Sequence, residues 1–243
     1  MGTRLLAVAA AHARILARRR AALLLLALLP LAFYGALYRH SPHAITTAGV
    51  LSAFSAGGAG IFSMLPARAT DQRLALAGYQ PAVLVLGRLL ILELASLGIS
   101  AVTSAVMIAG SRPAHPGEVF AGVILTGAVA VPLGLALGAL LPRELEAVLV
   151  LIGIVGIQVT AGPGTVISKA LPFHAAGQLL DSAAGPPLTP WPRLAAGVGY
   201  GAGLLVITWA AWIRRATARR AASPPCGYVP STQYTTFPPD GGR

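Results

Sequence analysis

Cysteine and lysine are almost absent from this chain of 243 residues, which holds one of each, Cys226 and Lys169. A single cysteine cannot form a disulfide within the chain or supply a cysteine-based metal site. The lysine does not follow the glycine-rich pattern of a phosphate-binding loop, in which backbone amides and a lysine hold the phosphates. We therefore expect no nucleotide site and no cofactor in this chain.

Charged residues are also scarce, at 10% of the chain, whereas hydrophobic residues make up 56%. Soluble domains carry about a quarter charged residues. That much apolar surface favours the lipid bilayer as the solvent of this chain. The excess of 18 basic over 7 acidic residues does not predict nucleic-acid binding, because the arginines lie between apolar runs rather than on a polar face.

The five histidines show no pattern of a catalytic or metal site. A membrane serine hydrolase would need a serine and a histidine on facing helices, and a metal would need at least three ligands. None of the histidines falls inside an apolar run; they are His12, His40, His43, His115 and His174. The sequence therefore predicts no catalytic residue and no metal ligand, and we expect the chain not to be an enzyme.

Long apolar runs indicate an all-α, polytopic membrane protein with six transmembrane helices. The predicted spans are 21–38, 44–65, 82–110, 118–141, 147–162 and 194–213. Before them, residues 1–20 combine five arginines with an apolar side, which favours an interfacial amphipathic helix, the alternative being a disordered basic leader. After them, the basic and proline-rich residues 214–243 predict a disordered tail.

The distribution of basic residues predicts the orientation of the spans. If the N-terminus is cytoplasmic, the inner segments hold 13 basic residues and the outer segments four. Loops on the cytoplasmic side of a membrane are enriched in lysine and arginine. We therefore expect a protein of the plasma membrane with both termini in the cytoplasm.

Small residues mark two predicted helix contacts. Ser52, Ala56 and Gly60 repeat every four residues in the second span, and Gly134 and Gly138 do so in the fourth. Small residues at this spacing let two helix backbones approach closely in lipid.

Two charged residues, Arg88 and Glu93, fall in the third span. An ionised side chain at that depth is costly unless it is paired, exposed to water or neutralised. We hypothesise that Glu93 faces the bundle and pairs with a basic group from another segment, such as Arg73 or Arg143. The alternative is a protonated carboxyl group at a protein interface.

The order of segments over about 55–213 resembles the membrane subunit of an ATP-binding-cassette exporter of the ABC-2 permease family. The segments that carry the resemblance are the polar connector Arg68–Pro81, Leu86-Gly-Arg-Leu-Leu90 at the start of the third span, Gly134 and Gly138 before Pro142-Arg143, and Leu171-Pro-Phe-His-Ala-Ala-Gly-Gln-Leu-Leu180 before the last span. The proline-rich tail has no counterpart in that family.

The resemblance implies a permease that forms the membrane pathway as a homodimer or heterodimer and docks onto separate ATPase subunits, which bind the ATP. It also implies that the connector couples to the ATPase and continues rigidly into the third helix. The implied coupling residues are Arg68, Asp71, Gln72, Arg73, Leu74 and Tyr79. Two other classes remain open, an ATP-independent carrier or channel and a non-transporting membrane protein such as an immunity or anchoring factor.

Overall fold

The computed structural model describes residues 8–14, 20–41, 43–76, 78, 80–161, 165–185 and 189–222, and all regular elements in these ranges are helices. The helices are α1 (Arg20–Leu37), α2 (Ala44–Leu51), α3 (Ala53–Leu76), α4 (Pro81–Ser111), α5 (Pro116–Leu140), α6 (Glu144–Thr160), α7 (Val166–Ala170), α8 (His174–Ser182) and α9 (Pro190–Ala222). Residues 8–14 are helical as well. The predicted all-α class is confirmed for this part of the chain.

Within the described ranges, four helical segments are long and apolar enough to cross a membrane, which fits a membrane-embedded protein. They are Ala44–Met64, Ala82–Ser111, Pro116–Leu140 and Pro190–Ala211. The other two predicted spans are shorter as helices. In α1 the apolar stretch found is Ala27–Leu37, and the 17 residues of α6 rise about 25 Å, less than the roughly 30 Å hydrocarbon core. Six spans therefore remain a prediction.

Prolines fix the starts of α4 and α5. Pro81 and Pro116 each occupy the first turn, where the missing N–H costs nothing and the fixed φ suits a helix. At its other end α4 is closed by Arg112, whose φ of 47° places it in the left-handed region. The two helices thus begin and end close to the predicted spans 82–110 and 118–141.

Helix α5 lies at the centre of the described bundle, and α3, α4, α8 and α9 pack around it. Residues 129–139 of α5 are all buried. A helix that is apolar on all sides is expected to be buried in this way. The two-part helix α2–α3 is interrupted at Ser52, whose hydroxyl donates to the carbonyl of Gly49 at 2.6 Å.

The structure departs from the sequence prediction at two helix ends. Residues 66–76 are helical and belong to α3, so the connector continues the second span rather than leading rigidly into the third helix. Strong helix formers follow Pro66, and the helix ends before Gly78, whose φ of +84° suits glycine. Similarly, residues 214–222 extend α9, so only 223–243 of the predicted tail lie outside the described residues.

Candidate functional site

The predicted coupling segment lies at the polar end of α3. Arg68, Asp71, Gln72 and Arg73 are helical residues of α3, and their side chains lie outside the described part of the structure. The predicted residue Tyr79 lies outside the described residues altogether. With Leu74, which also belongs to α3, the structure therefore places five of the six predicted coupling residues on one continuous helix with the second span.

Leu74 anchors this end of α3 to its surroundings. It packs against a small buried cluster of Val8, Val83 and Leu84. A side chain at Gly87 would press against Val8, so the glycine lets residues 8–14 lie close to α4. The end of α3, the start of α4 and the N-terminal segment thus meet in one corner, which we call the connector corner (residues 8–14, 74 and 83–88).

Arg88 lies in this corner with only 1% of its surface exposed. Its Nη1 donates to the sulfur of Met64 at 2.8 Å, and its Nη2 lies 3.1 Å from Nε2 of His12. Arg88 thereby connects α4 to α3 and to the N-terminal segment. Glu93 lies further along α4 and is half-buried.

The structure describes the side chain of one hypothesised partner of Glu93, Arg143, and not that of the other, Arg73. Arg143 is exposed and pairs with Glu146 at 3.7 Å, three residues further along the chain. The side chain of Arg73 is outside the described part. The pairing of Glu93 with Arg143 is therefore not formed here, and the pairing with Arg73 remains a hypothesis.

The predicted small-residue contact joins α3 to α5. A Cβ on Gly60 would lie 3.0 Å from the backbone of Gly134, and a Cβ on Gly134 would overlap the carbonyl of Gly57. A Cβ on Gly138 would lie 2.9 Å from Cβ of Met64. The other two residues of the predicted stripe, Ser52 and Ala56, instead line a small cavity between α3, α4 and α5.

A second polar site joins the segment after α6 to the last helix. Gln158 of α6 donates from Nε2 to Oγ of Ser168 at 3.2 Å, and that oxygen lies 3.1 Å from Nδ1 of His174. Nε2 of His174 lies 3.1 Å from Nε2 of Gln178. Arg193 of α9 donates from Nε to Oε1 of Gln178 at 3.0 Å. We call these five residues the histidine network.

The donors of this network fix the tautomer of His174. Arg193 can only donate, so the oxygen of Gln178 must face it and the NH₂ group must face His174. Nε2 of His174 therefore accepts, and Nδ1 carries the hydrogen and donates to Ser168. A histidine that donates to the serine cannot take its proton, so this pair lacks the arrangement of an activated nucleophile.

Protonation of His174 is disfavoured by its surroundings. Burial, followed by the positive charges of Lys169 and Arg193, holds the pKa of His174 below its usual value of 6.5. A protonated ring would also place an N–H at Nε2 against the NH₂ group of Gln178. The network therefore stabilises the neutral imidazole.

Within the described ranges, no group of three His, Cys, Asp or Glu residues could hold a metal ion. No protein-family model matches the chain, and no curated protein matches it.

Proposed function

We propose that the chain is the permease subunit of an ATP-driven exporter of the ABC-2 type. In this proposal six helices cross the plasma membrane, both termini are cytoplasmic, and a second permease, identical or different, completes the pathway. A separate ATPase subunit binds and hydrolyses the ATP and docks at the polar end of α3.

The continuity of α3 supports this proposal best. At 1.5 Å per residue, the stretch from Met64 to Leu76 extends the membrane helix by about 18 Å into the polar connector. A continuous helix can transmit a displacement at its end directly to the membrane span, as shear motions of packed helices require. Leu74 packs in the connector corner, so the polar end of α3 is also supported by α4.

Co-purification tests the proposal. The tagged full chain is purified from membranes of its native host, and we expect a Walker-type ATPase to accompany it. Combined charge reversal, Asp71→Lys with Arg73→Glu, is expected to abolish this association. Arg112→Glu, an exposed reversal at the opposite end of α4, serves as the matched control. If no ATPase accompanies the wild-type chain, the proposal is wrong.

One observation favours an ATP-independent carrier as the second candidate. The span Ala82–Ser111 contains both the buried Arg88 and the half-buried Glu93, and ionisable residues within spans often mark ion routes. A carrier should move its substrate in vesicles under an ion gradient without any ATPase, and Glu93→Gln should stop it. A chain that binds an ATPase and shows no gradient-driven flux excludes this candidate.

A further inference from the structure

A small cavity lies where α3, α4 and α5 meet, inside the membrane spans. Five side chains that carry hydroxyl groups line it together with Ala56, Ile99 and Gly127; they are Ser52, Ser55, Ser96, Ser100 and Thr103. Hydroxyl groups can each donate and accept a hydrogen bond. Most of the cavity surface is apolar, so these hydroxyl groups are the polar partners that it offers within the apolar helices.

Two of these hydroxyls lack a partner among the residues that the structure describes. The oxygens of Ser55 and Thr103 are buried and make no hydrogen bond to any residue that the structure describes. Their side chains are 2% and 1% exposed, respectively. By contrast, Ser52 donates to Gly49 and Ser100 donates to the carbonyl of Val123 at 3.4 Å. Buried polar groups almost always have a partner, so Ser55 and Thr103 indicate a bound molecule.

Gly127 keeps this space open on the side of α5. A Cβ at this position would overlap Oγ of Ser96 and would lie 3.2 Å from Oγ of Ser100. Any other residue here would have to displace these hydroxyls. The glycine therefore accommodates both serine side chains beside the cavity.

The size and chemistry of the cavity select its ligand. The centre of a water-sized sphere can occupy a volume of about 10 Å³ in this cavity. One water molecule requires about this volume. The hydroxyl oxygens are neutral, and no carboxylate lines the cavity in the described structure, so an ion would keep most of its desolvation cost. We propose that the cavity binds a single water molecule, which hydrogen-bonds to Ser55 of α3 and Thr103 of α4. This inference does not depend on the proposed function.

The proposal can be tested by substituting Thr103→Val or Ser55→Ala in the purified full chain. The direction in which the unfolding midpoint changes distinguishes a hydrated cavity from a dry one. If water is bound, each substitution removes one of its partners, and we expect the unfolding midpoint to fall by about 3 °C. If the cavity is dry, each removes an unpartnered hydroxyl and the midpoint should rise or stay unchanged, which would overturn the proposal. Thr126→Val is the matched control, because the hydroxyl of Thr126 donates to Gly122 of its own helix.

Two further measurements identify the ligand directly. Water-edited solid-state NMR on the chain in lipid should show transfer from water to the side chain of Thr103, with the buried Thr126 as the dry reference. The unfolding midpoint should be the same in sodium chloride, potassium chloride and choline chloride at equal ionic strength. A midpoint raised by sodium or potassium alone would indicate a bound cation and contradict the proposal, as would the absence of water transfer to Thr103.

Discussion

Nη2 of Arg88 lies 3.1 Å from Nε2 of His12, so α4 holds the N-terminal segment by a charge-assisted contact. Because a guanidinium group can only donate, Nε2 of His12 accepts this hydrogen bond. The other ring nitrogen, Nδ1, lies 2.9 Å from the carbonyl of Val8 and donates to it. Both ring nitrogens are thus used, and the neutral His12 is fixed in one tautomer.

Removing either partner should release residues 8–14 from α4. Ala9 is 4% exposed, so an Ala9→Cys reporter in a Cys226→Ser background should react slowly with a water-soluble maleimide in membranes. We expect Arg88→Ala and His12→Ala each to raise the labelling rate about tenfold, because a hydrogen bond to a charged group contributes roughly 1.5–3 kcal/mol. Arg112→Ala, at the exposed far end of α4, should leave the rate unchanged. Equal labelling in all variants would contradict this role of Arg88.

The histidine network predicts a pH-dependent stability. Since burial, Lys169 and Arg193 lower the pKa of His174 from 6.5, the unfolded chain binds the proton more readily than the folded chain. Stability contributed by this residue should therefore fall as the pH drops from about 6.5, and should be constant above it. We expect thermal unfolding between pH 5 and pH 8 to show a smaller pH dependence in His174→Asn than in the wild type.

His40 offers the control for that measurement. It is exposed after the end of α1, so His40→Asn should leave the pH profile of the wild type unchanged. Added salt should also reduce the effect of His174 in part, because the charges of Lys169 and Arg193 are screened. A His174→Asn profile that coincides with the wild type would show that the network is not sensitive to the proton.

The crossing of α3 and α5 should not tolerate a methyl group. In Gly134→Ala the new Cβ would overlap the carbonyl of Gly57, so the two helices must separate. Overpacking of this kind costs about 1–3 kcal/mol, and we expect the unfolding midpoint to fall by about 3–10 °C. Gly153→Ala, with open space around its Cβ, should not lower the midpoint. Equal midpoints for the two variants would show that α3 and α5 do not pack closely at Gly57 and Gly134.

The sequence predicted the elements that depend on local patterns. The spans at α4 and α5 were predicted within a few residues because long apolar runs are local signals. The connector was predicted less well, since it was expected to continue rigidly into the third helix, whereas the helix formers after Pro66 continue α3.

Neither polar site was predicted from the sequence, for different reasons. The histidine network joins residues of four helices, and only the packing of α6, α7, α8 and α9 brings them together. The hydroxyl cavity did leave a local signal. Ser96, Ser100 and Thr103 follow the spacing i, i+4, i+7, which places them on one face of α4. Such a polar face within a 30-residue apolar span indicates a buried polar site.

If α3 is the lever that couples the chain to its proposed ATPase, softening it should separate binding from coupling. Ala67→Gly with Ala69→Gly leaves the docking residues in place but weakens the helix by about 0.8–1 kcal/mol per substitution. We expect the ATPase still to co-purify, while its hydrolysis rate in the complex falls to that of the free ATPase. Ala218→Gly with Ala221→Gly, at the end of α9, is the matched control and should retain the rate. An unchanged rate in the α3 variant would mean that the connector binds the ATPase without transmitting its motion.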